Sequence, residues 1–137
     1  MNISVGEVVL PNKPLSNFEL MEAVKKLGIS NFRGVFLRDT LPKRPRKNEC
    51  GILNLDDTSG NGTHWVAWSK DGDRKNYFDS FGLQPPREMI GYLGSPIYYT
   101  TEEIQPRDQV FCGHLCLYIL KQMSKGRGLQ QIVNELY

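Results

Sequence analysis

Four side chains in this sequence carry groups whose order invites chemistry: the imidazole of His64, the carboxylate of Asp79, the carboxamide of Gln105 and the thiol of Cys112. Cys112 stands just ahead of an unbroken apolar run, Leu115, Cys116, Leu117, Tyr118, Ile119 and Leu120, so a helix starting near it is expected to be buried on nearly every side. A thiol in the first turn of such a helix lies beside backbone N–H groups that lack an intrahelical partner. Together with the helix dipole they favour a negative charge there by about 0.3–1 kcal/mol, which stabilises thiolate over thiol. A histidine within reach completes the conditions for a nucleophile.

There are two histidines. His114 follows Cys112 by two positions on the expected helix and so points away from it, because helical neighbours on one face are three or four apart. His64, in Gly62-Thr63-His64-Trp65-Val66, opens an expected strand just after a glycine-rich turn, where a scaffold presents side chains at its rim. Asp79 ends the next strand, in Tyr77-Phe78-Asp79-Ser80, one hairpin away. From there its carboxylate can accept the Nδ1–H of the imidazole and fix its tautomer. Gln105 is placed to donate its side-chain amide to an oxyanion together with the Cys112 backbone N–H, with Gln109 as the rival donor. Taken singly, each has an ordinary structural explanation: a histidine satisfied by backbone, an aspartate capping the turn before Gly82, a core aromatic at Trp65.

The elements that must position these groups read as follows. Leu10-Pro11 and Lys13-Pro14 make residues 1–14 an extended lead-in. Ser16 and Glu19 form a capping box for an amphipathic helix over 17–27, with Phe18, Met21, Val24 and Leu27 as its core-facing stripe and Gly28 as its stop. Phe32 to Leu37 is a short strand or a loop. Strands are expected at 50–55, 63–69, 75–80 and 96–100, joined by turns at Asp57 to Gly62 and Asp71-Gly72-Asp73 into an antiparallel meander. A short helix follows Pro85-Pro86 over 87–93, and a last helix over 129–136 follows the glycines at 126 and 128. The fold class is α+β, a small mixed or antiparallel sheet flanked by helices, in a single domain spanning 1–137.

At 137 residues the chain can bury roughly two-thirds of its unfolded surface, so a core needs no staples. Three cysteines, Cys50, Cys112 and Cys116, with no apolar leader or membrane span, point to free thiols in a reducing compartment. The formal charge of +2 argues against a dedicated nucleic-acid binder, although Lys43, Arg44, Arg46 and Lys47 form a local basic cluster. No membrane partner is expected, and the chain is read as a monomer.

The order histidine, acid, glutamine, Cys-Gly resembles the adenovirus-protease-like (adenain-type) cysteine peptidases, an arrangement shared with the ubiquitin-like-protein-specific proteases. The matching residues are His64-Trp65, Tyr77-Phe78-Asp79-Ser80, Gln105 and Cys112-Gly113, and the seven-residue step from Gln105 to Cys112 is similar to the adenoviral spacing. Phe32-Arg33-Gly34-Val35-Phe36, Asn48-Glu49-Cys50-Gly51 and Cys112-Gly113-His114-Leu115-Cys116 resemble the proteases of Polinton/Maverick elements and adenovirus-like DNA viruses.

That resemblance implies a papain-like or adenain-like peptidase fold with His64, Asp79, Gln105 and Cys112 as catalytic residues. Trp65 and Gly113 would stand against substrate, Trp65 either shielding the His64–Asp79 contact or serving as a core aromatic. A cysteine paired with histidine in this way has its pKa lowered to about 3–7.5. The implied reaction is cleavage of viral capsid and core precursors after glycine, in the host nucleus and the virion. No cofactor or metal is required for it. Adenoviral relatives are stimulated by DNA and by a short viral peptide that forms a disulfide with the enzyme; here the basic cluster at Lys43, Arg44, Arg46 and Lys47 would meet DNA, and Cys50 is the thiol to test. The competing readings are a protease that deconjugates ubiquitin-like proteins, a zinc-stabilised module using Cys50, Cys112, Cys116 and a histidine, and an inactive relative retained for binding.

Overall fold

The computed structural model describes residues 2–56, 64–105 and 111–137. The turn expected at Asp57 to Gly62, and Gln109, lie outside them.

The proline-punctuated lead-in is extended, as read, but it pairs with itself. Strands β1 (Asn2–Val5) and β2 (Val8–Pro11) form an antiparallel hairpin that buries Val5, Val8 and Leu10. Helix α1 (Asn17–Leu27) starts at Ser16, whose hydroxyl accepts from the Glu19 N–H at 3.1 Å while Glu19 Oε1 accepts from the Ser16 N–H at 3.0 Å. This reciprocal box satisfies two N–H groups that a helix start leaves without partners. The helix ends at Gly28, whose φ of 67° is the left-handed conformation that glycine adopts at little cost.

The apolar stripe of α1 differs from expectation. Leu20, Ala23, Val24 and Leu27 are buried, whereas Phe18 and Met21 are 71% and 52% exposed. Residues spaced strictly by threes drift back about 60° per step, so Phe18 and Leu27 lie on opposite sides of the helix. The buried set follows the three-and-four spacing of one face.

Five strands form the main sheet in the order β3 (Phe32–Leu37), β4 (Asn48–Asn54), β5 (Trp65–Asp71), β6 (Arg74–Phe78) and β7 (Tyr98–Tyr99). The centre, β4-β5-β6, is the expected antiparallel meander, but both edges run parallel to their neighbours, so the sheet is mixed. The return from β6 to β7 passes through α2 (Arg87–Leu93), a connection that parallel pairing requires.

Both faces of the central strands are buried. Ile52, Ala67 and Phe78 face a core shared with the hairpin, α1, α3 (Cys112–Ser124) and α4 (Leu129–Leu136). Their alternates Leu53, Val66, Trp68 and Tyr77 face Met89, Tyr92 and Leu93 of α2. Period-two alternation thus serves two cores at once. Helix α3 crosses the first core, held to the end of α1 by Lys121 Nζ donating to the Leu27 carbonyl at 2.7 Å, and to the hairpin by His114 Nε2 donating to the Pro11 carbonyl at 2.8 Å. His114 is therefore a bracket for β2, turned away from Cys112, as its position on the helix dictated.

Candidate active site

Cys112 is the first residue of α3, behind an N-cap, Phe111, whose side chain supplies no capping hydrogen bond. The thiol is buried, and its sulfur accepts the backbone N–H of Trp65 at 3.4 Å. Two elements remote in sequence therefore meet at the sulfur: the head of the buried helix and the head of β5. Gly113 is what allows them to approach. A Cβ there would stand 3.3 Å from Leu20 and Trp65 and 3.4 Å from Leu15, tighter than side chains ordinarily pack. Gly113 thus faces the packing between α1 and β5.

His64 immediately precedes β5 and is fixed there by its carbonyl, which accepts the Leu55 N–H at 3.0 Å. Its Nε2 lies 2.7 Å from Asp79 Oδ1. An ionised carboxylate only accepts, so Nε2 carries the proton of this bond. This corrects the expectation that Asp79 takes the Nδ1–H. From the head of β5, the distal nitrogen of the ring is the one that reaches across to the end of β6. The Cys112 side chain also lies close enough to the imidazole for its sulfur to favour the charged ring. Burial alone pulls the imidazolium down, but the Asp79 carboxylate and the Cys112 sulfur more than offset it, and the His64 pKa is raised to about 9.

Asp79, 1% exposed, is held in turn by the Phe81 backbone N–H, which donates to Oδ1 at 2.8 Å. The Phe81 ring lies flat on the imidazole, with centroids 4.0 Å apart and planes within 4°. The next side chain, Ser80, donates its hydroxyl to Gln105 Oε1 at 2.8 Å. That bond occupies the carbonyl end of the Gln105 carboxamide and makes the NH₂ end its donor. Gln105 is itself 1% exposed.

Every one of these bonds issues from a single turn, Asp79-Ser80-Phe81-Gly82. The turn is clamped to the segment leading to Gln105: the Ile104 N–H donates to the Ser80 carbonyl at 3.0 Å, and Gly82, at a φ of 74°, has no room for a Cβ, which would fall 2.4 Å from the Thr101 carbonyl oxygen. In the sequence Ser80 stands out only as the end of the Tyr77-Phe78-Asp79-Ser80 motif, with Phe81 directly after it. Their hydrogen-bond and ring partners lie far along the chain, so nothing in their local spacing marked them as site residues.

The other thiols are unlike Cys112 in setting. Burial pushes Cys116, fully enclosed on α3, well above its ordinary pKa, and burial beside Glu49 pushes Cys50 up to about 12. Both remain protonated at neutral pH, and Cys50 is accordingly a poor partner for disulfide exchange. Among the described residues no three His, Cys, Asp or Glu side chains are grouped to hold a metal ion.

A cleft of about 530 Å³ is lined by Leu15, Ser16, Val35, Leu37, Asn54 and Trp65 among others, and Trp65, whose N–H the sulfur accepts, links it to Cys112. Trp65 forms part of its wall while its indole N–H donates to the Leu15 carbonyl at 2.8 Å, so it is both cleft lining and core aromatic. Gly113 is not among the lining residues. A second hollow of about 400 Å³, with Asn31, Asn48, Lys70 and Arg74 in its lining, lies at the opposite end of β4 and β5. Among the described residues no helix is long and apolar enough to cross a membrane.

No family model matches the chain, and no curated protein does. Solved structures do. The crystal structure of the ASFV pS273R protease superposes with a TM-score of 0.59 at 19% identity over 88% of this chain, and its selenomethionine form with 0.63 at 20% over the same share. The chain spans 61% and 62% of the length of those two structures. At that identity the likeness establishes the fold: the mixed α+β architecture expected from the sequence is the one on which a viral protease is built.

Proposed function

We propose that this chain is a cysteine endopeptidase with Cys112 as nucleophile, His64 as general base and acid, Asp79 as the group that orients His64, and Gln105 with the Cys112 backbone N–H as oxyanion donors. The observation that carries the reading is the placement of the imidazole between a carboxylate on Nε2, at 2.7 Å, and the sulfur at the head of α3. A nucleophile, a base and a group that orients the base are the minimal set for acyl transfer through sulfur.

The Cys112 proton passes to Nδ1, the ring nitrogen that Asp79 does not take, giving a thiolate–imidazolium pair. The thiolate is stabilised by the Trp65 N–H and the helix dipole, the imidazolium by Asp79. The sulfur attacks a peptide carbonyl carbon, and the resulting oxyanion is held by the two donors. Collapse breaks the C–N bond as imidazolium protonates the leaving amine. Neutral His64 then takes a proton from water, which attacks the thioester through a second oxyanion and restores the free thiol. Asp79 stays ionised throughout.

Substrate enters, on this reading, along the cleft between Leu15 and Trp65. The adenain-type motifs favour virion capsid and core precursors cut after glycine, in the host nucleus and the maturing particle. The basic cluster at residues 43–47 is the place for a contact with DNA.

Alkylation with iodoacetamide across pH, on wild type, Cys112→Ala and His64→Ala, tests the assignment. The expected result is one fast thiol in wild type, absent in the first variant and reverting to an ordinary thiol profile in the second. Fast modification of Cys50 or Cys116 instead would sink it. Cleavage of a ubiquitin-like reporter with no activity on glycine-containing capsid-type peptides would move the substrate class to deconjugation.

A further inference from the structure

We propose that Phe81 is a positioning residue of this site: its ring, stacked face to face on His64, favours the charged imidazolium and holds the ring plane that presents one nitrogen to Asp79 and the other to Cys112. The inference rests on the peptidase reading above and adds to it a residue that acts through the imidazole.

Its basis is geometric. The two rings are parallel within 4° with centroids 4.0 Å apart, so the imidazole lies over the electron-rich face of the benzene ring. When the imidazole is neutral this contact is dispersion alone. When it is protonated, the attraction between cation and ring face is added, and in a site where the His64 side chain is 9% exposed little water competes with it. The ring thus acts selectively on the protonation state that exists while the thiolate is attacking.

The position of the ring does not depend on substrate. Phe81 belongs to the clamped turn: its own N–H is bound to Asp79 Oδ1, the following residue donates its N–H to the Asp79 carbonyl at 2.8 Å, and Gly82 is pressed against the Thr101 carbonyl. One residue therefore fixes the carboxylate through its backbone and the imidazole through its side chain. The two functions can be separated, because a substitution at 81 removes the ring and leaves the N–H.

The test compares Phe81→Leu, Phe81→Ala, Phe81→Tyr and Phe81→Trp by two measurements. The first is NMR titration of His64, which reads the imidazole whether or not the protein cleaves anything. Leucine keeps apolar bulk and loses the ring face; it should lower the His64 midpoint by about one pH unit, while tyrosine and tryptophan leave it near the wild-type value. The second is the pH profile of peptide cleavage, in which the leucine variant should lose about tenfold in kcat, shift its alkaline limb down by the same unit and keep KM. A leucine variant that titrates like wild type would show the ring to be packing only, and a change confined to KM would place Phe81 against substrate instead. If alanine fails to fold, leucine and tyrosine decide the matter. Absence of a fast thiol in wild type, with the His64 midpoint still moved by leucine, would overturn the peptidase reading and spare the stacking claim.

Discussion

Two buried carboxylates, one at each end of the central strands, show how the same group is used in opposite ways. Glu49, near the start of β4, is 3% exposed and accepts four hydrogen bonds: from Arg33 at 3.0 Å, the Arg46 backbone N–H at 2.7 Å, the Trp68 indole at 2.9 Å and the Tyr92 hydroxyl at 2.6 Å. Burial pushes its pKa up, but these donors more than compensate and hold it below the ordinary value. Asp79, just past β6, places two donors on one oxygen, while Oδ2 has no hydrogen-bond partner among the described residues. Of its two donors one is a backbone amide and the other an imidazole that can lose its proton. Glu49 ties β3, β4, β5 and α2 together with donors that never titrate in the physiological range; Asp79 is connected to a proton that can move. A saturated carboxylate fastens the sheet, and a sparsely bonded one lends its charge to a neighbour.

The comparison can be broken in several ways, the first of which removes the chemistry altogether. Cys112→Ala should abolish peptide cleavage, by about 10⁶-fold in kcat, with little loss of stability, as measured by steady-state kinetics beside urea denaturation. Asp79→Asn keeps the shape but replaces the charge with an amide, and should cost about 10⁴-fold in kcat, while the stability it loses should be the pH-dependent part that the charged imidazole supplies. Glu49→Ala should do the converse. It strands Arg33 and three other donors, and about 3–5 kcal/mol of stability should disappear from the denaturation curve while the folded fraction keeps its turnover within a few-fold. If the Glu49 variant lost activity per folded molecule as the Asp79 variant does, the division between fastening and chemistry would be wrong. Gln105→Ala should reduce kcat by about 10²–10³-fold, and Ser80→Ala, which removes the bond to the carboxamide carbonyl, by less.

The smallest effect is in the pH dependence of stability, and it separates the two regions by sign. His64 is raised from its ordinary 6.5 to about 9, so the stabilisation it supplies is complete below about 6.5 and is lost as pH climbs through 9. Glu49 is lowered from 4.5, so its contribution is complete above that value and is lost as acid protonates the folded carboxylate. Urea midpoints across pH should therefore lose the part of their decline that falls between about 6.5 and 9 in His64→Ala and part of their acid decline in Glu49→Gln. An unchanged alkaline limb in the histidine variant would contradict the raised imidazole.

How much of this was legible differs by element. Helix α1 could be read to the residue from Ser16, Glu19 and Gly28, because capping is local chemistry carried by neighbours in sequence. Its buried face was misassigned because Phe18 and Met21 satisfy apolar spacing equally well until a partner surface selects one side. The meander β4-β5-β6 was visible from alternation and turns, whereas the parallel edges β3 and β7 were not, since their pairing depends on connections through space. His64, Asp79, Gln105 and Cys112 stood out as candidates by order and motif. Which nitrogen Asp79 takes, the sulfur's bond to the Trp65 N–H, and the roles of Ser80 and Phe81 required coordinates.

By itself the sequence determined the pieces that depend on near neighbours: the caps, the apolar helix behind Cys112, the hairpin that sets His64 and Asp79 on adjoining strands, and the candidate groups. Only the tertiary structure decided their junction. Cys112 and Trp65 are 47 residues apart and Ser80 and Gln105 are 25 apart, and such pairs are brought into hydrogen-bond contact by burial of α3 against the sheet and by a turn too crowded at Gly82 to move. Burial acts without regard to position in the chain, which is why its outcome is written across the sequence and readable at no one place in it.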